Sequence, residues 1–256
     1  MKIIKSKDNP SYKLAVKLTK RKFRESTGLY LLEGIKPLED AIDEGISIEQ
    51  IYVSEGSDME KLPEDKVCIL DRKLFGAISD TMTSQGVVAV LKQQPSDEHK
   101  LGNLISNDGP IIILDRIQDP GNMGTIIRTA EAAGFAGVIL INGCVDPYSS
   151  KVVRAAAGSL LRVPVVSKVD TDVLLSHVKS SHRVLAVTAL ENAVSYSQIP
   201  KDGKVAIVIG NEGQGVSDKF VEDADLKIKI PMAGAIESLN AAVAAGILMY
   251  ESQKKK

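Results

Sequence analysis

The sequence predicts an α/β protein in which a mostly parallel sheet carries helices on both faces and a smaller α/β domain precedes it. Three observations support this prediction. Short runs rich in Ile, Val and Leu are apolar at nearly every position, which is typical of strands buried on both faces. Segments with helical spacing of apolar residues lie between most of these runs. A stretch rich in Pro, Ser, Asp, Asn and Gly, residues 93–110, separates two blocks, so we place the domains at residues 1–100 and 108–256.

The first block has the pattern of a small α/β domain. Its apolar runs alternate with helical spacing, and turn-forming residues separate them. The predicted strands are Leu29–Glu33, Ile48–Val53, Val67–Leu70 and Gly86–Leu91, and the predicted helices are Pro37–Glu44 and Arg72–Ile78.

The second block alternates more regularly and predicts the mostly parallel sheet. Its predicted strands are Ile111–Leu114, Val138–Ile141, Leu161–Val166, Val184–Thr188, Val205–Ile209 and Leu226–Ile230. A sheet of this kind binds ligands outside the carboxyl ends of its strands. The loops that follow these strands are therefore where we look for chemistry.

The composition is that of a soluble globular protein, with 256 residues of which 44% are hydrophobic and 25% charged. No apolar run reaches the ~18 residues that span a bilayer. The N-terminus lacks the apolar core and cleavage site of a signal peptide, so we expect a cytoplasmic protein. Cys68 and Cys144 lie in apolar surroundings without a CxxC motif, which indicates buried thiols and no zinc site. We predict no bound metal.

Positive charge is concentrated at the N-terminus, although the net charge of the chain is only −1. Residues 1–24 contain nine Lys and Arg residues and one acid, Asp8, so the local charge is +8. Such an arm suits a nucleic-acid phosphate backbone, and the alternative is an ordinary solvated helix face. The candidate contacts are Lys13, Lys17, Lys20, Arg21, Lys22 and Arg24.

Three segments that follow predicted strands carry the candidate chemistry. The first, Asp119–Thr129, reads DPGNMGTIIRT and is interpreted as a turn through Pro120 and Gly121 that opens a helix. Arg128 follows Gly124 by about one helical turn, so its guanidinium and the helix N-terminus suit an anion such as phosphate. Taken alone, this segment also fits a glycine turn followed by an amphipathic helix with a salt-bridged arginine.

The second segment, Ile209–Ser217, reads IGNEGQGVS. Its glycine spacing, G-x-x-G-x-G, does not match the dinucleotide fingerprint, and the chain has no P-loop motif. Three glycines allow the backbone to approach a ligand closely, with Glu212 as the charged group. A tight turn with an exposed glutamate is the simpler alternative.

The third segment, Ile230–Glu251, reads IPMAGAIESLNAAVAAGILMYE. Ser238 or Asn240 is a candidate cap for the helix that follows. The small residues Ala241–Gly246 permit close packing against another backbone, from the same chain or a second copy. A simple buried helix is the structural alternative.

In order and spacing, the three segments resemble the motifs of the SpoU (TrmH) family of the SPOUT superfamily, which methylates the ribose 2'-oxygen of RNA. The resemblance spans about residues 108–252. The N-terminal block resembles, more loosely, the ribosomal-protein-like RNA-binding domain attached to many members, through Ser6–Leu18 and Tyr30–Gly34.

The resemblance implies a C-terminal trefoil knot, a homodimer, and S-adenosylmethionine as the methyl donor. It implies that Gly210, Ile230 and Leu239 bind the donor, and that Arg128 reaches the donor pocket of the other subunit. It also implies a functional polar set made of Asn122, Arg128, Glu212, Ser238 and Asn240. Since guanidinium stays protonated at neutral pH, we expect Arg128 to hold an RNA phosphate rather than act as a base.

We expect ribosomal RNA as the substrate, because the N-terminal domain resembles those of the family members that modify rRNA. Three alternatives stay open at this point: a transfer RNA 2'-O-methyltransferase, an RNA-binding protein without catalysis on the same fold, and an enzyme that modifies a base nitrogen.

Overall fold

The computed structural model describes residues 2–57, 62–81, 83–201 and 203–253. The chain divides into two compact units. The first comprises the described residues up to Gln93 together with Tyr148–Leu161, and the second comprises Gln94–Pro147 and the described residues from Arg162 onwards. The sequence did not predict that a segment of the second block, Tyr148–Leu161, groups with the first unit.

The described strands and helices follow one another along the chain as follows. The strands are β1 Lys2–Ile4, β2 Leu29–Glu33, β3 Ile48–Ser54, β4 Val67–Leu70, β5 Val87–Lys92, β6 Ile111–Leu114, β7 Gly137–Ile141, β8 Val165–Val169, β9 Val184–Thr188, β10 Val194–Ser195, β11 Val205–Ile209 and β12 Leu226–Lys229. The helices are α1 Pro10–Leu18, α2 Arg21–Thr27, α3 Ile35–Asp43, α4 Arg72–Phe75, α5 Glu98–Ser106, α6 Pro120–Ala132, α7 Ser150–Ala155, α8 Thr171–Ser180, α9 Asp218–Glu222 and α10 Ala241–Glu251.

The first unit contains a mixed five-stranded sheet in the order β1-β4-β3-β5-β2. Strands β1, β4 and β3 are parallel, and β5 runs antiparallel to both β3 and β2. The four strands predicted for this block are confirmed to within a residue at each end. The three-residue strand β1 was missed because it is too short to show a periodic pattern.

Helix α7 belongs to this first unit through specific contacts. Tyr148, just before the helix, packs on Tyr30 with the ring centroids 4.9 Å apart. The Ser150 hydroxyl donates to Asp80 Oδ2 over 2.7 Å. Ring packing and a side-chain hydrogen bond therefore hold a segment that the sequence alone assigns to the second block.

A half-buried carboxylate, Glu33 at the end of β2, binds four residues that lie far from it in sequence, between positions 79 and 84. It accepts hydrogen bonds from the hydroxyls of Ser79, Thr81 and Ser84 and from the backbone N–H of Asp80, over 2.5–3.0 Å. Burial raises the pKa of Glu33, but the hydrogen bonds to the ionised form outweigh it and hold the pKa below its ordinary value.

Because this pKa is lowered in the folded state, the ionised carboxylate stabilises the first unit. The contribution is present above the ordinary pKa and is lost as the pH falls through the lowered one. We expect Glu33→Gln to lower the melting temperature at pH 7 and the gap to wild type to shrink as the pH falls below about 4. Thermal unfolding followed by circular dichroism from pH 3 to 7 measures this, and a gap independent of pH would contradict it.

The second unit contains a seven-stranded sheet in the order β10-β12-β9-β11-β6-β7-β8. Every neighbouring pair in it is parallel. The predicted mostly parallel sheet is therefore confirmed. One predicted strand, Leu161–Val166, was wrong: β8 starts only at Val165, and a short 3₁₀ turn occupies Ser159–Leu161. Pro164 separates the two because its ring lacks an N–H for the ladder and restricts the residue before it.

Helices cover both faces of this sheet. Ile111 and Ile113 of β6 pack in a core with apolar side chains of α5, α8 and α9. The alternate residues Ile112 and Leu114 are fully buried and point to the opposite face, since side chains alternate along a strand. There α6 packs on β7, and α10 packs on α6 and β11. The trefoil knot that the family resemblance implies stays a prediction.

No helix among the described residues is both long and apolar enough to cross a bilayer. The described part of the chain likewise has no cluster of His, Cys, Asp or Glu side chains suited to a metal ion.

Candidate active site

The topology brings the three motif segments to one edge of the second sheet. Strands β6 and β11 are neighbours at its centre, and the chain leaves them toward opposite sides, β7 and β12. In open α/β sheets such a switch point opens a crevice at the carboxyl ends of the strands. The loops after β6 and β11 carry the first two motifs, and the third follows β12 at the same edge.

Helix α6 starts earlier than predicted. Asp119 is its N-cap, and the Asp119 carboxylate accepts from the backbone N–H of Asn122 over 2.7 Å. Pro120 stands in the first helical turn, where its missing N–H costs nothing. The predicted turn through Pro120 and Gly121 was therefore wrong, because both residues are helical. The consequence is that a rigid helix holds Asn122.

Hydrogen bonds join one side chain from each motif. The Asn122 Nδ2 atom donates to Glu212 Oε1 over 2.7 Å, and Asn240 Nδ2 donates to Asn122 Oδ1 over 2.9 Å. Asn240 also caps α10, because its Oδ1 atom accepts from the N–H groups of Ala242 and Val243 at 3.0 and 3.3 Å. The choice between Ser238 and Asn240 as the cap is thus decided for Asn240. We call Glu212, Asn122 and Asn240 the polar triad.

The loop after β11, residues 210–217, is closed on itself. Asn211 and Gly215 exchange two backbone hydrogen bonds of 3.0 and 2.9 Å. The Asn211 carboxamide accepts from the N–H groups of Gly213 and Gln214 at 2.9 and 3.1 Å. A Cβ atom at Gly210 would overlap the backbone of Gly215 and Val216. The closed loop therefore requires glycine at position 210, independently of any ligand that this residue binds. We call residues 210–217 the glycine loop.

Sequence reasoning missed two residues at this edge, Asp115 and Arg116. Asp115 is 1% exposed, and its carboxylate accepts from the backbone N–H of Ser217 over 2.7 Å and from Arg116 Nε over 3.1 Å. Arg116 donates in turn to Gln214 and to the carbonyl of Gly215. A signal was present, because Asp115 is a charged residue placed directly after the wholly apolar strand β6.

Arg128 and Ser238 are not brought to the polar triad by any described contact. Both are exposed, and neither side chain forms a hydrogen bond or ion pair within the described ranges. Arg128 follows Asn122 by six residues, about 9 Å along α6 and about a third of a turn around it. Its side chain is exposed to solvent.

The three residues expected to hold the methyl donor flank this edge. Gly210 follows β11, Ile230 follows β12, and Leu239 directly precedes Asn240. Each is partly buried. Half-buried apolar side chains beside a backbone turn form a surface that suits an adenine ring.

A cavity of about 300 Å³ lies in the first unit, away from these motifs in sequence. Its polar lining includes Glu33, Asp80 and Arg154. These groups bind one another and their neighbours: Asp80 accepts from Ser150 and from Arg154 Nη1 at 2.7 and 3.5 Å. We assign it no chemistry.

Five of the six predicted phosphate contacts are exposed on α1, α2 and the residues between them. They are Lys13, Lys17, Lys20, Arg21 and Lys22. The sixth, Arg24, is a correction to the prediction. It is only 6% exposed, and its Nη1 atom donates to the carbonyl of Leu18 over 2.9 Å. Arg24 therefore stabilises the packing of α2 rather than presenting charge to solvent.

Comparison with known proteins shows which family the chain belongs to. The model of the SpoU rRNA Methylase family matches residues 109–250. The chain belongs to the SpoU rRNA Methylase family. The model of the MRM3-like substrate binding domain matches residues 9–89. All members of the polar triad lie within the part of the chain matched to the SpoU family.

The similarity to individual relatives extends over nearly the whole chain. A Bacillus subtilis protein named 23S rRNA (guanosine(2553)-2'-O)-methyltransferase RlmP is 34% identical over 255 residues, covering 98% of each chain. An AdoMet-bound rRNA methyltransferase from Sinorhizobium meliloti has a TM-score of 0.88 at 31% identity, covering 98% of this chain and 97% of that one. The SpoU methyltransferase AviRb from Streptomyces viridochromogenes has a TM-score of 0.83 at 27% identity, covering 95% of this chain and 96% of that one.

Proposed function

We propose that this SpoU-family protein transfers a methyl group from S-adenosylmethionine to the 2'-hydroxyl of a ribose in ribosomal RNA. The observation that carries the proposal is the polar triad, in which Glu212, Asn122 and Asn240 join the three family segments at the carboxyl edge of a parallel sheet. We further propose that residues 1–100 bind the RNA, that residues 108–256 carry out the transfer, and that the protein works in the cytoplasm.

The residues of the donor site fit S-adenosylmethionine by their chemistry. Ile230 and Leu239 offer apolar surface to the adenine, and the tight backbone at Gly210 offers N–H and carbonyl groups. When bound, S-adenosylmethionine supplies an electrophilic methyl group on a sulfonium. The described residues offer no metal cluster, and methyl transfer to a hydroxyl requires none.

The remaining work falls to polar side chains that orient the ribose and accommodate charge. As the new O–C bond forms, the 2'-hydroxyl must lose its proton. A guanidinium is a poor base, so we assign Arg128 the role of binding the neighbouring phosphate and stabilising the developing negative charge, while phosphate or water accepts the proton. The triad holds Asn122 and Asn240. We assign these two residues, together with Ser238, the role of orienting the ribose.

The test is methyl transfer from radiolabelled S-adenosylmethionine to separate pools of unmodified rRNA and tRNA. We expect label in rRNA that survives alkaline hydrolysis as a dinucleotide, because a 2'-O-methyl group blocks cleavage of the adjacent phosphodiester. Label that alkaline hydrolysis releases in mononucleotides with a methylated base would indicate methylation of a base nitrogen instead. Label in tRNA alone would overturn the substrate, and no label despite donor binding would indicate an RNA-binding protein without catalysis.

Ribosomal RNA is preferred over tRNA on two grounds. The family model that matches residues 109–250 is described as that of an rRNA methylase, and the relative named RlmP, similar along its whole length, is named for 23S rRNA. Looped or single-stranded RNA is the expected target, since a ribose can be splayed out there.

The basic arm is expected to supply salt-dependent affinity. Lys17, Lys20 and Lys22 are exposed on α1, α2 and the residues between them, and each phosphate contact releases counterions. We expect replacement of all three by alanine to weaken RNA binding and to reduce the slope of log K against log salt by about 2 to 3. Filter binding from 50 to 300 mM salt measures both quantities, and an unchanged slope would contradict the assignment. Lys179→Ala on α8, outside the arm, is the control.

We propose a homodimer in which α10 is the contact helix. Its sequence is apolar almost all round, yet Val243 and Tyr250, seven residues apart on one side, are 51% and 54% exposed. A second copy would bury this stripe. Light scattering is expected to give the mass of a dimer, and Tyr250→Glu is expected to give a monomer with little activity. A fully active monomeric wild type would contradict the proposal.

A further inference from the structure

We propose that Asp115 and Arg116 are positioning residues that hold the glycine loop in the shape that binds S-adenosylmethionine. The inference rests on the proposed function for the identity of the ligand. It concerns two residues outside the donor-binding and polar sets named above, and it is carried by a network of described hydrogen bonds.

The carboxylate of Asp115 fixes the far end of the loop. Its backbone N–H donates to the carbonyl of Ile209 over 2.9 Å, which extends the pairing of β6 with β11 to the point where the loop begins. Its side chain then receives the N–H of Ser217 over 2.7 Å, where the loop ends. One buried residue therefore contacts both ends of the glycine loop.

The guanidinium of Arg116 fixes the middle of the loop. It donates to Gln214 Oε1 over 3.1 Å and to the carbonyl of Gly215 over 3.4 Å, while its Nε atom contacts Asp115 Oδ1 over 3.1 Å. The backbone carbonyl of Arg116 also accepts from Asn211 Nδ2 over 3.0 Å. Both the side chain and the main chain of one residue thus contact the loop.

The backbone of Arg116 has an unusual conformation that these contacts explain. Its φ is +60°, a left-handed value that few residues other than glycine adopt. Such conformations persist where the surroundings over-determine them. Here the left-handed turn directs the carbonyl of Arg116 to Asn211 and its guanidinium to Gln214 and Gly215. An ordinary surface ion pair between adjacent residues would not require a left-handed backbone conformation.

The shape of the glycine loop matters because the loop carries Gly210 and Glu212. Glu212 accepts from Asn122, so movement of the loop would break the polar triad as well as the donor surface at Gly210. Charged groups make stronger hydrogen bonds than neutral ones, so the Asp115–Arg116 pair is a rigid support for a segment rich in glycine.

The experiment compares Arg116→Ala, Arg116→Lys and a control, Arg162→Ala, in the full-length protein. Arg162 forms an ion pair with Glu131 in the same unit, outside the three motifs. Calorimetry with S-adenosylmethionine gives the donor Kd, filter binding gives the RNA Kd, and thermal unfolding reports on the fold. For Arg116→Ala we expect the donor Kd to rise at least about tenfold, as expected for lost hydrogen bonds to a charged group, with the RNA Kd unchanged.

Two further readouts separate positioning from general destabilisation. Free guanidinium at millimolar concentration should restore part of the donor affinity of Arg116→Ala and none of that of Gly210→Ala. Arg116→Lys should fall between wild type and Arg116→Ala, because an ammonium keeps the charge without the planar fork. If Arg116→Ala does not fold, the donor Kd of Arg116→Lys tests the proposal in its place.

A donor Kd within about twofold of wild type would overturn the proposal. So would a rise that Arg162→Ala shares. Because binding is measured without turnover, the result does not depend on methyl transfer. A wild type that binds the donor but labels no RNA would defeat the proposed function and leave this test valid.

Discussion

Replacing Arg128 by alanine is expected to lower kcat for methyl transfer by about 10²–10³-fold, the usual effect of removing one group that stabilises developing charge. The affinity for S-adenosylmethionine should be unchanged, because Arg128 is exposed on α6 and has no contact with the glycine loop among the described residues. Single-turnover kinetics with rRNA and donor calorimetry measure the two effects separately.

Arg128→Lys tests how the phosphate is held. A lysine keeps the charge but not the planar, bidentate grip, so we expect most of the activity to be lost here too. An equal loss of donor affinity in either variant would contradict the assigned role. Near-normal activity of Arg128→Lys would mean that charge alone is sufficient.

Replacing Gly210 by alanine is expected to have the second large effect, on donor binding. The new Cβ atom would overlap the backbone of Gly215 and Val216, so the glycine loop must open. Opening would displace the donor surface and Glu212 together. We expect the donor Kd to rise by at least about tenfold, with the sheet intact because β11 ends at Ile209.

A matched control lies three residues away. A Cβ atom at Gly213 would meet only Asn211 Oδ1, at an ordinary contact distance of 3.6 Å. Gly213→Ala should therefore bind the donor almost as wild type does. Donor calorimetry on both variants provides the comparison, and equal effects would mean that loop crowding at Gly210 is not the cause.

The two impaired variants together, assayed at a donor concentration that Gly210→Ala does not bind, test the composite active site. If Arg128 serves the donor pocket of the other subunit, a mixed dimer of Arg128→Ala and Gly210→Ala has one intact site. Co-expression should then restore about a quarter of the activity, since half of the dimers are mixed. If each subunit uses its own Arg128, every site keeps a defect and co-expression restores nothing.

Local patterns were sufficient for most of the secondary structure. Strands β6, β9 and β11 stand where apolar runs of Ile, Val, Leu and Ala predict them, because a strand buried on both faces leaves a continuous apolar run. Errors arose where one residue changes the local geometry. Pro164 delays β8, and Asp119 with Pro120 starts α6 before Asn122.

Charge patterning was less reliable at the level of single residues. The basic N-terminal run does form exposed helices, yet Arg24 is buried against the carbonyl of Leu18. The rotation of each helix about its axis, together with the packing of the helix on the protein core, decides which basic side chain of the run is buried. The grouping of Tyr148–Leu161 with the first unit was likewise invisible, because it depends on the ring of Tyr30 and on Asp80, residues far away in sequence.

The sequence by itself determined the α/β class, the parallel sheet, and the positions of the three motifs after their strands, since these follow from local periodicity and from the carboxyl-edge rule. Only the tertiary structure decided which side chains meet. Asn122 binds Glu212 across 90 residues and Asn240 across 118, and Asp115 binds the N–H of Ser217 across 102. Strand order and register create such contacts, because a hydrogen bond forms only when donor and acceptor are nearly in contact, and no local pattern encodes the distance between residues so far apart in sequence.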